Sequence, residues 1–218
     1  MRLGRKYEIH HLRDEAINRL RSDYPSTLEE WLLLGESFTH LIPDRCIHFD
    51  IINLARENDL PYLLPAAFIS CHIALTYQQM LQGVCRDDGT LVTLSTEDQR
   101  LMMLGWHALI EMQFKATFKW MDEAKNCALL FKACIRPHKC DRLRKERYHD
   151  VFHPMPCMKS FDEWDGIWET GFCEPCVTAS RSQYESGRAN MWTELPSIFG
   201  LPPWDELLNR RLVALHRF

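Results

Sequence analysis

The amino-acid sequence predicts an all-α protein of stacked helical hairpins, followed by an irregular, Cys- and Trp-rich C-terminal helical lobe. Three observations lead there. Apolar residues recur at helical spacing through most of the first 125 positions, capping residues precede several of those runs, and a single short segment reads as extended. Beyond Asn126 the helical pattern loosens. Prolines 137, 154 and 156 divide the chain there, and aromatic residues become dense (Trp164, Trp168, Phe172, Trp192, Trp204). We therefore expect a helical-hairpin region over 1–125 and a distinct lobe over 126–218. No low-complexity tract or Gly/Ser linker separates them, so the two are expected to pack together.

Taken in order, Leu3, Tyr7, Leu12, Ala16, Ile17 and Leu20 share helical spacing, with a break expected at Ile9-His10-His11. In the run SDYPSTLEEW, Ser26 or Thr27 stands three residues before Glu29 or Glu30. In that capping box the hydroxyl and the carboxylate satisfy free amides reciprocally. Asp44 is a candidate cap for the next helix, whose Ile47, Ile51, Ile52 and Ala55 share a face. Pro61 opens a helix over PYLLPAAFISCHIALTYQQML, with Pro65 in its first turn, where a missing amide hydrogen costs little. The extended interruption is CRDDGTLVTL, an Asp-Asp-Gly turn before a Thr-Leu-Val-Thr-Leu run. Ser95 with Asp98 then starts a long helix through Met121.

Composition narrows the function classes. Of 218 residues 46% are apolar and 26% charged, as in ordinary globular proteins, and the net charge of -4 provides no global field for nucleic acid. The exception is the basic run RPHKCDRLRKER, Arg136 to Arg147, whose simplest reading is a solvated helix face. No apolar run approaches the roughly 18 residues that a membrane span needs, and the basic start MRLGRKYEIHHL lacks the apolar centre of a signal peptide. An odd count of nine cysteines argues against a disulfide framework. A reducing compartment, cytoplasmic or nuclear, is the expectation.

A loose internal repeat occurs at an offset of 51: LGRKYEIHHLRDEA (Leu3–Ala16) aligns with LARENDLPYLLPAA (Leu54–Ala67). Each copy reads as a helix end, a short polar turn, an aliphatic residue plugging the corner and a second helix, the plan of a stacked hairpin array. At this repeat the chain resembles the region behind the BTB/POZ core in fungal BTB proteins. LGRKYEIHHLRDEAINRL resembles the helices that close the BTB fold, and INLARENDLPYLLPAA the next hairpin. CIRPHKC, GFCEPC and RANMWTELPSIFGLPPWDEL resemble the same group's C-terminal half. The BTB core, which should precede Leu3, is absent from the sequence, implying a truncated gene model or a member that lost the module. Dimerisation and cullin contact, which belong to that core, are therefore not carried over. The resemblance implies a helical scaffold or adaptor that positions an unidentified protein partner.

Two cysteine pairs pose the main chemical question: Cys173 and Cys176 in GFCEPC, and Cys134 and Cys140 in CIRPHKC. A redox reading of Cys-x-Pro-Cys needs a preceding strand in a βαβ setting, and DEWDGIWETGF shows no strand alternation. A metal reading joins the pairs, because thiolates are soft ligands and structural zinc sites combine two close pairs from separated segments. Zinc would then pin a loop of about thirty residues that is poor in core aliphatics, so that binding energy becomes folding energy. The third reading is buried free thiols packing as small apolar side chains. His138 and Cys157 are substitute ligands, while Cys46, Cys71, Cys85 and Cys127 read as packing residues.

Other chemistry finds little support. His10, His11, His40, His48, His72, His107 and His216 are scattered and form no HExxH, and only His138, His149 and His153 lie near the cysteines. No Gly-rich phosphate loop or Gly-x-Ser-x-Gly elbow is present. Asp87-Asp88 and Glu29-Glu30 suit turn and capping roles, and Asp162, Glu163 and Asp165 suit an amphipathic segment. No enzyme is expected. Trp192, Leu195, Phe199, Leu201 and Trp204 read as an internal clamp, with an exposed docking patch as the other reading. The last helix carries Leu207, Leu208, Leu212 and Leu215 near one face. The leading expectation is a non-enzymatic scaffold with a zinc-stabilised lobe. The alternative is a nucleic-acid-associated zinc module using Arg136 to Arg147, whose binding would weaken steeply with salt.

Overall fold

The computed structural model of the chain describes residues 10–34, 46–121, 132–153 and 158–215. These are mainly helical, with one two-stranded hairpin, as the all-α expectation requires. The helices are α1 (His10–Asp23), α2 (Leu28–Leu34), α3 (Ile47–Glu57), α4 (Leu64–Ala74), α5 (Tyr77–Gln82), α6 (Thr96–Lys115), α7 (Pro137–Phe152), α8 (Glu174–Ile198) and α9 (Trp204–Leu215). Three 3-10 turns lie at Pro61–Leu63, Lys119–Met121 and Gly166–Glu169. Among the described residues no helix is long and apolar enough to cross a membrane.

The chain forms two compact units. One comprises Met1–Leu104 with Phe199–Phe218, the other Gly105–Ile198. The sequence placed its division near residue 125; contacts place it between Leu104 and Gly105, within α6, and assign the C-terminal segment to the first unit. No boundary signal marks Leu104, because helical periodicity runs through it unbroken.

In the first unit the centre is α4, buried from Leu64 through His72. A helix apolar on every side must be enclosed, and α3 packs along it through Phe49, Ile51, Ile52 and Ala55. The corner between them follows the second copy of the repeat. Asp59 adopts φ +54, and the Leu60 amide donates to the Ala55 carbonyl at 2.9 Å, closing α3 with a left-handed cap. Leu60, 3% exposed, plugs the corner before Pro61. Half of the first copy falls on residues 3–9, outside the described residues, and so does the Asp44 cap.

Thr27 Oγ1 accepts the Glu30 amide at 3.3 Å to start α2. Ser95 Oγ accepts the Asp98 amide at 3.1 Å and donates to its carboxylate at 2.7 Å to start α6. The predicted extended segment is a hairpin, Val84 opposite Val92 and Cys85 opposite Leu91, turned by Asp88, which accepts the Thr90 amide, and by Gly89 at φ +83. Three expectations need correction. Helix α6 ends at Lys115 rather than running through Met121. The helix from Pro61 breaks at Leu75, which is extended, because Thr76 and Gln79 form a capping box that starts α5. Its hydroxyl competes with the helix amide ladder at that point. Cys85 is exposed rather than packed, since strand alternation turns Val84 inward and Cys85 outward. Cys46 and Cys71 are buried as expected, and Cys127 lies outside the described residues.

The second unit is built on aromatic rings. Phe118, Trp120, Phe152, Trp168, Phe172 and Tyr184 form one core with Leu143 and three cysteines. Phe118 meets Phe152, Trp168 and Tyr184 edge-on, with centroids 5.1–5.4 Å apart, the arrangement that aromatic quadrupoles favour. The residues read as one clamp divide between the units. Trp192 packs edge-on against Phe161 in the second unit, and Phe199 meets Phe68 at 5.0 Å in the first. Leu207 is buried in the first unit.

Candidate metal centre

The four cysteines singled out by their spacing come together. The sulfurs of Cys134, Cys140, Cys173 and Cys176 all lie within 4.8 Å of one another. Their placement begins with local helix chemistry. Pro137 at the first position of α7 starts the helix without wasting an amide, and Cys140 follows in its first turn. Cys134 stands on the segment that leads in. Cys173 immediately precedes α8, and Cys176 lies in that helix's first turn. The Cys173 sulfur accepts the Cys176 amide, which is the contact that a serine oxygen makes at an N-cap.

Gly171 makes the approach possible. Its φ of +88 belongs to glycine, and a Cβ there would meet Leu143 Cδ1 at 3.1 Å. The turn that it makes lets Cys173 arrive beside α7. Both cysteine pairs thus sit at helix N-termini, where free amides and the helix dipole favour thiolates.

Distances exclude a formed disulfide and fit a metal site. Cys173 Sγ is 3.7 Å from Cys134 Sγ and 3.7 Å from Cys140 Sγ. A disulfide would bring sulfurs to about 2.05 Å, and all four thiols are free. A tetrahedral zinc ion with ligands at about 2.3 Å requires sulfur–sulfur edges of about 3.8 Å. These two separations match that edge to about 0.1 Å, and all six lie within 4.8 Å, about 1 Å beyond it. The element immediately before Cys173 is not a strand but a 3-10 turn, Gly166–Glu169. The setting therefore lacks the βαβ context of a redox motif.

Ionisation follows the same geometry. Burial pushes the Cys173 thiol upward, but the donating amides of Ile135 and Cys176, with the Cys176 and Cys134 side chains, bring it down to about 6. Burial raises Cys140 and, more strongly, Cys176. One anion is favoured first and further negative charge is resisted, as expected of crowded sulfurs without a cation between them.

Arg144 also belongs to this centre and was missed in the sequence, where it sat inside a run read as a solvated face. It is 4% exposed, its Nη1 lies 3.8 Å from Cys176 Sγ, and its Nη2 pairs with Asp141. The available signal was its position four residues after Cys140, on the same helix face. The neighbouring Arg142, on the exposed side of the helix, pairs with Glu146 at 3.5 Å, and the mostly buried Arg147 pairs with Asp150 at 2.8 Å.

The other candidate residues stand apart. His138 is exposed, and no histidine joins the sulfur cluster among the described residues. His149 and His153 stack on each other at 4.4 Å. His48 and His72 are core residues of the first unit, with Tyr24 Oη and His48 Nδ1 2.9 Å apart. Asp165 caps the 3-10 turn by accepting the Ile167 amide, and Asp162 pairs with Lys159. Cys157 lies outside the described residues. No family model, curated protein or solved structure matches the chain.

Proposed function

We propose that the protein is a non-enzymatic, protein-binding scaffold whose second unit is held by a structural zinc ion on Cys134, Cys140, Cys173 and Cys176. The observation that carries the metal is the four-sulfur cluster, with two edges of 3.7 Å matching the zinc tetrahedron. Among the described residues, the cluster sits in a core whose buried apolar side chains other than aromatic rings and cysteines are Met121 and Leu143. Structural zinc contributes about 10–16 kcal/mol of apparent binding energy, enough to offset a shortage of aliphatic packing. All four ligand positions are protein sulfurs, the closed arrangement of structural rather than catalytic zinc.

The scaffold role follows the resemblance to the region behind the BTB core in fungal BTB proteins. It is supported by exposed apolar side chains at Ile73 (57%), Tyr77 (42%) and Leu81 (49%), near the α4–α5 break. Elemental analysis of protein purified without chelator tests the centre. About one zinc per chain is expected, and a clearly sub-stoichiometric content, or iron in its place, sinks the assignment. Affinity capture from native cells tests the scaffold. Ile73→Asp with Leu81→Asp should preserve melting and lose the captured protein, whereas failure of the wild-type chain to retain any specific protein removes that role.

A further inference from the structure

We infer that Arg144 is the counter-ion of the metal centre, a positioning residue that sets its affinity for divalent ions rather than a ligand or a packing residue. The inference rests on the zinc reading above. Four thiolates around a divalent ion carry a formal charge of −2, which a buried aromatic surrounding stabilises poorly. Arg144 supplies a permanent positive charge at the correct place. Its Nη1 reaches Cys176 Sγ at 3.8 Å, within sulfur hydrogen-bonding range, and its side chain is 4% exposed. Asp141, one turn earlier and 54% exposed, holds the other side of the guanidinium. Asp141 therefore orients the fork from the solvent side while Nη1 faces the sulfurs.

The need is mutual. A guanidinium so deeply buried requires anionic partners, and a neutral thiol is a weak acceptor. With the metal bound, Cys176 is a thiolate and satisfies Nη1; without it, the same arginine faces a poor partner. Metal and Arg144 are thus linked, each favouring the other. Lysine preserves the charge but not the two-sided fork, so the substitutions Arg144→Lys, Arg144→Gln and Arg144→Met grade charge and hydrogen bonding separately. Hydrogen bonds to thiolate also lower the energy of the sulfur lone pairs, which raises the energy of sulfur-to-metal charge transfer.

The test titrates the full chain with zinc in competition with a chromophoric chelator, then with cobalt(II) to read the charge-transfer band. Outer-shell partners typically carry 10–100-fold in metal affinity. We expect a loss of that size for Arg144→Met, a nearly equal loss for Arg144→Gln, and recovery of most of it by Arg144→Lys. The cobalt band should move to longer wavelength in the methionine variant. Affinity of Arg144→Met and Arg144→Gln within threefold of wild type, with an unmoved band, overturns the inference. If both neutral variants fail to fold, Arg144→Lys decides: folding with metal retained supports the charge role, and failure assigns Arg144 to packing and rejects it. Should the wild-type chain itself bind no zinc, or bind it independently of Cys173 and Cys176, the zinc reading fails first, and the two failures are told apart.

Discussion

Cys173 Sγ lies 3.7 Å from Cys134 Sγ across 39 positions of chain. Between them the backbone runs through all of α7 and the turn that ends at Gly171. Their meeting brings the starts of two helices to one point, and the predictions for the second unit begin there.

Replacing Cys173 and Cys176 together by serine should abolish stoichiometric zinc and unfold much of the Gly105–Ile198 unit. The lost binding energy, about 10–16 kcal/mol, rivals the whole stability of a typical domain. Peptide-resolved hydrogen exchange should show fast exchange across α7 and the start of α8, with α3 and α4 still protected. Unchanged protection around Cys140 in the double variant contradicts a structural metal.

Gly187 lies where α8 passes the chain at Ala116 and Thr117; a Cβ there would come within 2.5 Å of Thr117 Cα and 2.6 Å of the Ala116 carbonyl. Backbone cannot give way as a side-chain end does, so Gly187→Ala should destabilise the protein by about 1–3 kcal/mol or more. Gly166→Ala, with nothing within 4 Å of the added methyl, is the control and should melt near wild type. Equal melting temperatures for the two variants refute this packing.

Asp98 ties the first unit together. Its Oδ1 accepts from Arg56 Nη2 at 2.6 Å and Nε at 3.0 Å, while its own amide donates to Ser95. It is 2% exposed. Asp98→Ala removes the ion pair and the carboxylate oxygen that accepts from the Ser95 hydroxyl at 2.7 Å, for an expected loss of about 2–4 kcal/mol. Urea unfolding measures it; a loss below about 1 kcal/mol shows that Arg56 is satisfied elsewhere.

His48 makes first-unit stability depend on pH. Burial lowers its pKa from 6.5 to about 4, so between those values the unfolded chain binds the extra proton and the folded chain does not. Its contribution is fully present above about pH 6.5, falls as pH drops, and is lost below about pH 4. The linkage is on the order of 3 kcal/mol. His48→Gln keeps an acceptor for Tyr24 and cannot titrate in this range. The difference between wild-type and variant urea stabilities should therefore vary between pH 4 and 6.5, and a constant difference dismisses the linkage.

Local chemistry was legible in the sequence. Thr27, Ser95 and Asp98 act at helix starts as their spacing implied, and the Asp-Asp-Gly turn leads into the expected extended run. The cysteine spacing singled out four of the nine cysteines, and the sulfurs of those four lie together. The caps and the turn depend on contacts within a few positions, where chain geometry leaves few alternatives. The break at Leu75 was concealed because helical periodicity continues through it, and a capping box decides between two nearly equal local options.

The sequence by itself determined the helical class, the helix starts and which sulfurs were available as ligands. Only the tertiary structure decided that Cys134 and Cys140 meet Cys173 and Cys176, that Arg144 turns inward while Arg142 turns outward, and that the clamp residues divide between two units. The physical reason is range. Capping and periodicity are settled by neighbours along one helix, whereas the direction of a buried cation is settled by charges brought beside it from another.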